Sequence, residues 1–193
     1  MPQLEEPPPP TFEALELLTP RLRLRPLREA DAGALFAIFS DPEVMRYWST
    51  LPWTSLQQAR DLITRDQAAH RSGDYVRLGL ERRDDGALIG NCTFFGLNRG
   101  SRRAEMGYGQ LRAAWGRGYM GEALEALLHY GFGPLGLNRV EADIDPRNEA
   151  SGRALERLGF QREGFLRERW IVGDEVSDSA LYGLLRSDWV ERG

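Results

Sequence analysis

Apolar and polar residues follow different periods in successive segments of the chain. Residues 21–25 alternate at every second position, which is typical of a half-buried strand whose arginines face solvent. In residues 28–39 the apolar side chains recur at three- and four-residue spacing, which predicts an amphipathic helix. A more polar helix is predicted over residues 55–71, with Ser55 as its N-cap. The first strand is therefore followed by a pair of helices.

The middle and end of the chain have the pattern of a mixed sheet. Strand-like segments and short polar turns predict a three-stranded antiparallel meander over residues 75–81, 87–97 and 102–111. A helix (119–132), a strand (138–144), a helix (148–158) and two strands (160–172 and 176–185) are expected to follow. We expect one α/β (α+β) domain over residues 19–190, after a Pro/Glu-rich tail at 1–18. Its mostly antiparallel twisted sheet would have six to seven strands and about four flanking helices.

The most specific local signal is a glycine-rich loop between a strand and a helix. Gly116, Gly118 and Gly121 have the spacing G-x-G-x-x-G, directly before the helix predicted at 119–132. Glycines let backbone N–H groups approach an anion closely, and the N-terminus of the helix adds its positive dipole end. The loop therefore predicts a pyrophosphate site.

A nicotinamide dinucleotide is the remote alternative for this loop. Folds that bind such dinucleotides end their second strand with an acidic residue, and Asp145 stands at that place here. However, residues 112–115 separate the preceding strand from Gly116, and the loop follows three antiparallel strands. Too few residues remain after Asp145 to complete a doubly wound parallel sheet.

Composition excludes several classes of protein. All 25 basic residues are arginine, so Walker-type ATPases, protein kinases and Schiff-base enzymes, which need a lysine, are excluded. A net charge of −4 argues against nucleic-acid or anionic-membrane partners. The single cysteine, Cys92, fits a reducing cytosol, and no apolar run approaches the roughly 20 residues of a membrane span. We therefore expect a cytoplasmic protein. His70 and His129 lack partners at metal-ligand spacing, so no metal is expected.

Several short blocks stand in a fixed order along residues 19–186. They are T-P-R-L-R-L-R-P at 19–26 with Asp31, S-D-P-E-V-M at 40–45, A-E-M-G-Y at 104–108, W-G-R-G-Y-M-G-E-A at 115–123, N-E-A-S at 148–151, L-G-F at 158–160 and E-G at 163–164. In this order they resemble the GCN5-related N-acetyltransferase (GNAT) superfamily. Within it the chain is similar to the RimJ/RimL-like branch, which includes ribosomal-protein N-terminal acetyltransferases.

The resemblance implies a sheet whose fourth and fifth strands splay into a V-shaped cleft. Here those strands are residues 102–111 and 138–144. The pantetheine arm of acetyl-CoA would lie in the cleft as an added strand does, and its pyrophosphate would lie on the glycine loop. The cofactor-binding residues implied are Gly109, Gln110, Leu111, Arg112, Trp115, Gly116, Arg117, Gly118, Tyr119, Met120, Gly121, Asn148 and Ser151.

The implied reaction is acetyl transfer to a primary amine by direct attack on the thioester. Glu105 is the candidate base, with an ion pair to Arg103 or a neighbour as its alternative role. Ser151 is the candidate acid for the departing thiolate, with satisfying backbone N–H groups at the helix start as its alternative. Many family members carry a tyrosine two residues before the L-G-F block, where this chain has Glu156.

The acceptor is a peptide or protein N-terminus, or a small amine. Tyr47, Trp48 and Trp53 are candidate acceptor-binding residues, or they fasten the first two helices to the sheet. A non-catalytic acyl-CoA-binding module is the competing function, and it would lack an acceptor pocket beside Glu105. We expect no metal, and either a monomer or a homodimer.

Overall fold

The computed structural model describes residues 11–190. The strands in this part of the chain are β1 (Leu17–Leu18), β2 (Leu22–Arg25), β3 (Val76–Arg82), β4 (Leu88–Asn98), β5 (Arg103–Gln110), β6 (Arg139–Ile144), β7 (Gln161–Val172) and β8 (Glu175–Leu185). The helices are α1 (Ala32–Phe39), α2 (Pro42–Met45), α3 (Leu56–Ser72), α4 (Tyr119–Phe132), α5 (Glu149–Arg157) and α6 (Arg186–Val190). Short 3-10 turns occupy Glu29–Asp31 and Arg112–Ala114.

The predicted fold class is confirmed, although the element counts differ from expectation. Residues 11–190 contain eight strands and six α-helices instead of six to seven strands and about four helices. The additional elements β1, α2 and α6 have two, four and five residues. Each is shorter than the window over which hydrophobic periodicity can be recognised.

The predicted tail at 1–18 lies partly outside the described residues, and its described part packs on the domain. Phe12 is fully buried, and its N–H donates to the carbonyl of His70 at 2.8 Å. Leu17–Leu18 forms β1, the first edge of the sheet.

All eight strands form one sheet in the order β1-β2-β3-β4-β5-β6-β8-β7. Among the strands of residues 11–190 only the β5–β6 pair is parallel, which does not favour the parallel sheet of a nicotinamide-binding fold. This pair is short, because only residues 103–105 of β5 lie in register with residues 139–141 of β6. Beyond Glu105, β5 continues to Gln110 beside β4 alone, so β5 and β6 diverge. This divergence is the splay that the resemblance implies.

Two hydrophobic clusters lie against the splayed strands. One contains the fully buried Leu124 and Leu127 of α4 together with Met106 of β5. The other joins α1 and α3, and its Ile38 and Trp48 approach Gly109 of β5. Because successive residues of a strand point to opposite faces, the cleft has α4 and α5 on one side and α1 and α2 on the other.

Arg25 corrects the expectation that residues 21–25 present a solvated arginine face. Its side chain is buried, and it donates to Asp31 Oδ2 at 2.7 Å and to Glu81 Oε2 at 2.5 Å. Burial alone would raise the pKa of Asp31, but hydrogen bonds from Arg25 and from the Arg28 N–H hold that pKa below its ordinary value. The stability that this pair contributes is therefore present above the unfolded-state pKa and is lost as the pH falls through the lower folded-state pKa.

Candidate active site

The glycine loop enters α4 with its backbone N–H groups uncapped. Gly116 and Gly118 have φ angles of +73° and +76°, which side chains rarely tolerate. Gly118 is the N-cap of α4, and no side chain caps this helix. Apart from adjoining residues and the backbone of its own helix, a Cβ atom added at Gly116 or Gly121 would meet no described atom within 4 Å, so the space beside the loop is open. Open space and unpaired N–H groups at a helix N-terminus make an anion site.

Side-chain hydrogen bonds fix the start of the loop to the end of β5. The indole Nε1 of Trp115 donates to the carbonyl of Gln110 at 3.0 Å, and Gln110 Nε2 donates to the carbonyl of Ala114 at 2.9 Å. Of the two arginines expected beside the phosphates, Arg112 lies 3.3 Å from Asp41 Oδ2, and Arg117 is exposed.

Backbone pairing decides which N–H group of β5 faces the cleft. Leu111 donates its N–H to the carbonyl of Ile89 at 2.9 Å, so it is bonded towards β4. Hydrogen bonds alternate along antiparallel strands, and Gly109 therefore also faces β4. Of the implied cofactor-binding residues Gly109, Gln110 and Leu111, Gln110 is therefore the one whose N–H is directed into the cleft.

Ser151 and Asn148 come together at the start of α5, with a tyrosine that sequence reasoning missed. Asn148 Oδ1 accepts the N–H of Ser151 at 3.1 Å and thereby caps the helix. The Ser151 hydroxyl is therefore not used as the cap. It shares a hydrogen bond of 2.6 Å with the hydroxyl of Tyr108, which reaches it from β5. Burial raises the pKa of Tyr108 to about 12, so this phenol stays protonated at neutral pH.

Glu105 occupies the last residue of β5 before the splay. Its carboxylate is half-buried, and Arg103, its expected partner, donates to Glu141 instead. No described residue forms an ion pair with Glu105. A Cβ at Gly96 would lie 3.3 Å from Glu105 Oε1, so glycine leaves room for the carboxylate there. Glu105 and Tyr108 lie on opposite faces of β5, one on each side of the cleft.

The three aromatic residues proposed for the acceptor have different environments. Trp48 and Trp53 pack on Phe39 of α1 with ring centroids 5.2 and 4.6 Å apart, so they fasten α1 to the following loop. Trp48 also approaches Gly109, with its Cζ2 atom 3.0 Å from an added Cβ. Tyr47 has the Arg147 guanidinium 5.7 Å from its ring centroid. Trp48 and Trp53 thus pack against the hydrophobic cluster of α1 and α3, whereas Tyr47 does not belong to it.

Arg147 forms a cluster that the sequence did not indicate. Its Nη2 atom lies 2.6 Å from Asp145 Oδ2 and 2.7 Å from Glu175 Oε1, and its guanidinium lies within cation–π distance of the Tyr47 ring. These contacts join the loop after β6 to the β7–β8 turn and to the segment after α2. A Cβ atom added at Gly173 would lie 3.8 Å from Leu51 Cδ2, so that segment also approaches the turn.

Two other reactive side chains of the described chain, Cys92 and His70, are buried. Burial raises the pKa of Cys92 to about 12, which favours the predicted core role over a nucleophile. Burial lowers the pKa of His70 to about 4, so this imidazole is neutral at pH 7. Within residues 11–190 no group of three potential metal ligands occurs. The same residues contain no helix with the length and apolar character of a membrane span.

Comparison with known proteins agrees with this geometry. The model of the acetyltransferase (GNAT) domain matches residues 21–161. The uncharacterized N-acetyltransferase YoaA of Bacillus subtilis is 38% identical over 175 residues, covering 91% of this chain and 98% of that protein. The Escherichia coli ribosomal protein uS5-alanine N-acetyltransferase is 29% identical over 182 residues, covering 91% and 93%.

A solved structure shows the same fold. Spermidine N-acetyltransferase from Vibrio cholerae, in complex with CoA and spermine, has a TM-score of 0.79 at 22% identity and covers 89% of this chain and 99% of that one. Since the family model spans most of the chain and the splayed sheet is present, the protein belongs to the GNAT family and is an N-acetyltransferase.

Proposed function

We propose that this enzyme uses acetyl-CoA and transfers its acetyl group to a primary amine by direct attack. The observation that carries the proposal is the divergence of β5 and β6 beyond Glu105, in front of an uncapped α4 N-terminus. Such a gap accepts an extended pantetheine arm, and the helix start accepts a pyrophosphate. The residues proposed to hold the cofactor are those at the end of β5, the loop 115–121, Asn148 and Ser151.

Bound acetyl-CoA supplies an activated thioester, and three groups of the chain would act on it. The Gln110 N–H would polarise the thioester carbonyl. Glu105 would take the proton of the amine, directly or through one water, as the C–N bond forms. As the C–S bond breaks, the Ser151 hydroxyl would donate a hydrogen bond to the sulfur. The chain holds the reactants together and thereby supplies much of the acceleration.

Tyr108 is expected to orient the Ser151 hydroxyl. If Tyr108 donates to Ser151 Oγ, the hydrogen of the serine is left free for the sulfur. Tyr108→Phe is therefore expected to lower kcat about 10-fold, less than the roughly 100- to 1,000-fold lost with a donor to the reacting atoms, because Tyr108 acts only through Ser151. The KM of acetyl-CoA should change little. Steady-state kinetics checks this value.

The pair also predicts non-additive effects. Tyr108→Phe should lower kcat little further when Ser151 is already replaced by alanine, because the hydroxyl that Tyr108 orients is then missing. Effects that multiply in the double variant would show that the two residues act independently.

The acceptor is a protein N-terminus or a small amine. Among the relatives, the one from Escherichia coli is named for an alanine of a ribosomal protein, and the one from Vibrio cholerae for spermidine. A thiol-release assay over amines and N-terminal peptides tests the proposal. Turnover with any primary amine supports it, whereas binding of acetyl-CoA without turnover across the panel indicates the acyl-CoA-binding module. A cytoplasmic location and a monomeric or homodimeric state stay predictions.

A further inference from the structure

Arg21, which lies just before β2, contacts the glycine loop almost a hundred residues later in the chain. Its Nη1 atom donates to the carbonyl oxygen of Arg117 at 2.9 Å, and its Nε atom donates to Glu122 Oε2 at 2.6 Å. The guanidinium carbon lies 4.6 Å from the ring centroid of Tyr119. Arg21 therefore touches the loop and the first turn of α4, while 46% of its side chain stays exposed to solvent, as the sequence pattern predicts.

Glu122 anchors this arginine. Its Oε1 atom accepts the Thr19 hydroxyl at 2.5 Å and the Arg21 N–H at 2.9 Å, so the carboxylate binds the segment before β2 at three points. Burial alone would raise the pKa of Glu122, but the hydrogen bonds from Thr19 and Arg21 lower it below its ordinary value. Glu122 thus stays charged in the first turn of α4, where the helix dipole favours an anion.

Glycines on their own do not choose one loop conformation. Gly116 and Gly118 both have positive φ angles, and glycine adopts either sign of φ at little cost. The peptide between Arg117 and Gly118 therefore needs an external contact to hold its direction. In a trans peptide the carbonyl oxygen and the N–H point to opposite sides. With the Arg117 carbonyl bound to Arg21, the Gly118 N–H points away from Arg21.

We propose that Arg21 is a positioning residue for the pyrophosphate of acetyl-CoA, which it aligns by fixing the Arg117–Gly118 peptide. The inference rests on the proposed use of acetyl-CoA. The arginine fork is needed because one side chain has to bond the Glu122 carboxylate and the loop carbonyl together. A lysine ammonium at the same position reaches one of them well but not both.

Arg21→Ala is expected to raise the Kd of coenzyme A about 10-fold in a calorimetric titration, whereas Arg21→Lys should raise it less. Arg23→Ala is the matched control, because Arg23 belongs to the same run of arginines but pairs with Glu16, away from the loop. This control should bind coenzyme A with the wild-type Kd. If Arg21→Ala does not fold, the Kd of coenzyme A is measured for Arg21→Lys and Glu122→Gln instead.

A second acyl donor distinguishes a lost contact at the pyrophosphate from a general loss of activity. Acetyl-pantetheine lacks the pyrophosphate, so its kcat/KM should be unchanged in Arg21→Ala, while kcat/KM for acetyl-CoA should fall about 10-fold. Equal losses for both donors, or an unchanged coenzyme A Kd, would overturn the inference. Binding needs no turnover, so a chain that binds coenzyme A but acetylates no amine would contradict the proposed function and still show the Arg21 effect.

Discussion

Gly116→Asp is expected to weaken acetyl-CoA binding about 100-fold while the protein stays folded. Gly116 has a φ of +73°, and aspartate and asparagine tolerate this region better than most residues. Its Cβ would enter open space, because no described atom other than those of the adjoining residues lies within 4 Å of it. A carboxylate there would repel the pyrophosphate. At about 4 Å and an effective dielectric constant near 20, the repulsion between the carboxylate and one phosphate charge is about 4 kcal/mol. Screening by salt lowers this energy, which leaves a loss of affinity of roughly two powers of ten.

Gly116→Asn is the control for this charge effect. Asparagine has nearly the same size and the same tolerance of a positive φ, but it carries no charge. We expect a clearly smaller loss of affinity in calorimetric titrations, with similar unfolding temperatures for the two variants. Equal losses in the two variants would indicate a steric cause. Wild-type affinity in Gly116→Asp would mean that the pyrophosphate binds elsewhere.

Glu105→Gln is expected to lower kcat about 100-fold, the lower end of what a positioned general base contributes. The amide keeps the size of the side chain but accepts a proton from the amine very poorly. The KM and Kd of acetyl-CoA should stay close to wild type. Glu105 lies on the face of β5 opposite Tyr108, whose hydroxyl bonds Ser151, one of the residues proposed to hold the cofactor. Steady-state kinetics with a saturating amine measures the change.

Glu141→Gln is the matched control for the base. Glu141 lies directly beside Glu105 in the β5–β6 register, but Arg103 and Arg139 both donate to its carboxylate. Its neutralisation should change kcat by no more than a few-fold. Equal losses of kcat in Glu105→Gln and Glu141→Gln would indicate that the summed negative charge of the two carboxylates matters, and not a base. An unchanged kcat in Glu105→Gln would show that Glu105 is not the base.

Local signals in the sequence predicted the parts of the site that local chemistry determines. The helix predicted at 119–132 coincides with α4, because glycines precede it and its apolar side chains recur at helical spacing. The N-cap of α3 was also predicted, because serine is a preferred residue at that position. In the structure Ser55 Oγ accepts the N–H of Gln57 at 3.2 Å. The splay of β5 and β6 was expected from the resemblance to the family.

Contacts between distant segments could not be predicted from the pattern. Alternation in residues 21–25 shows that two faces differ, but not that Arg25 meets Asp31 and Glu81 or that Arg21 meets α4. The Tyr108–Ser151 hydrogen bond joins β5 to α5, which are brought together only by the sheet order. Such pairs depend on tertiary packing, which overrides local propensity.

A crystal structure of the protein with bound acetyl-CoA is the most direct test of the cofactor site. We expect the diphosphate on the backbone N–H groups of residues 116–121 and the thioester between β5 and β6, within reach of Gln110 and Ser151. A cofactor bound elsewhere, or β5 and β6 paired along their whole length in the complex, would contradict it.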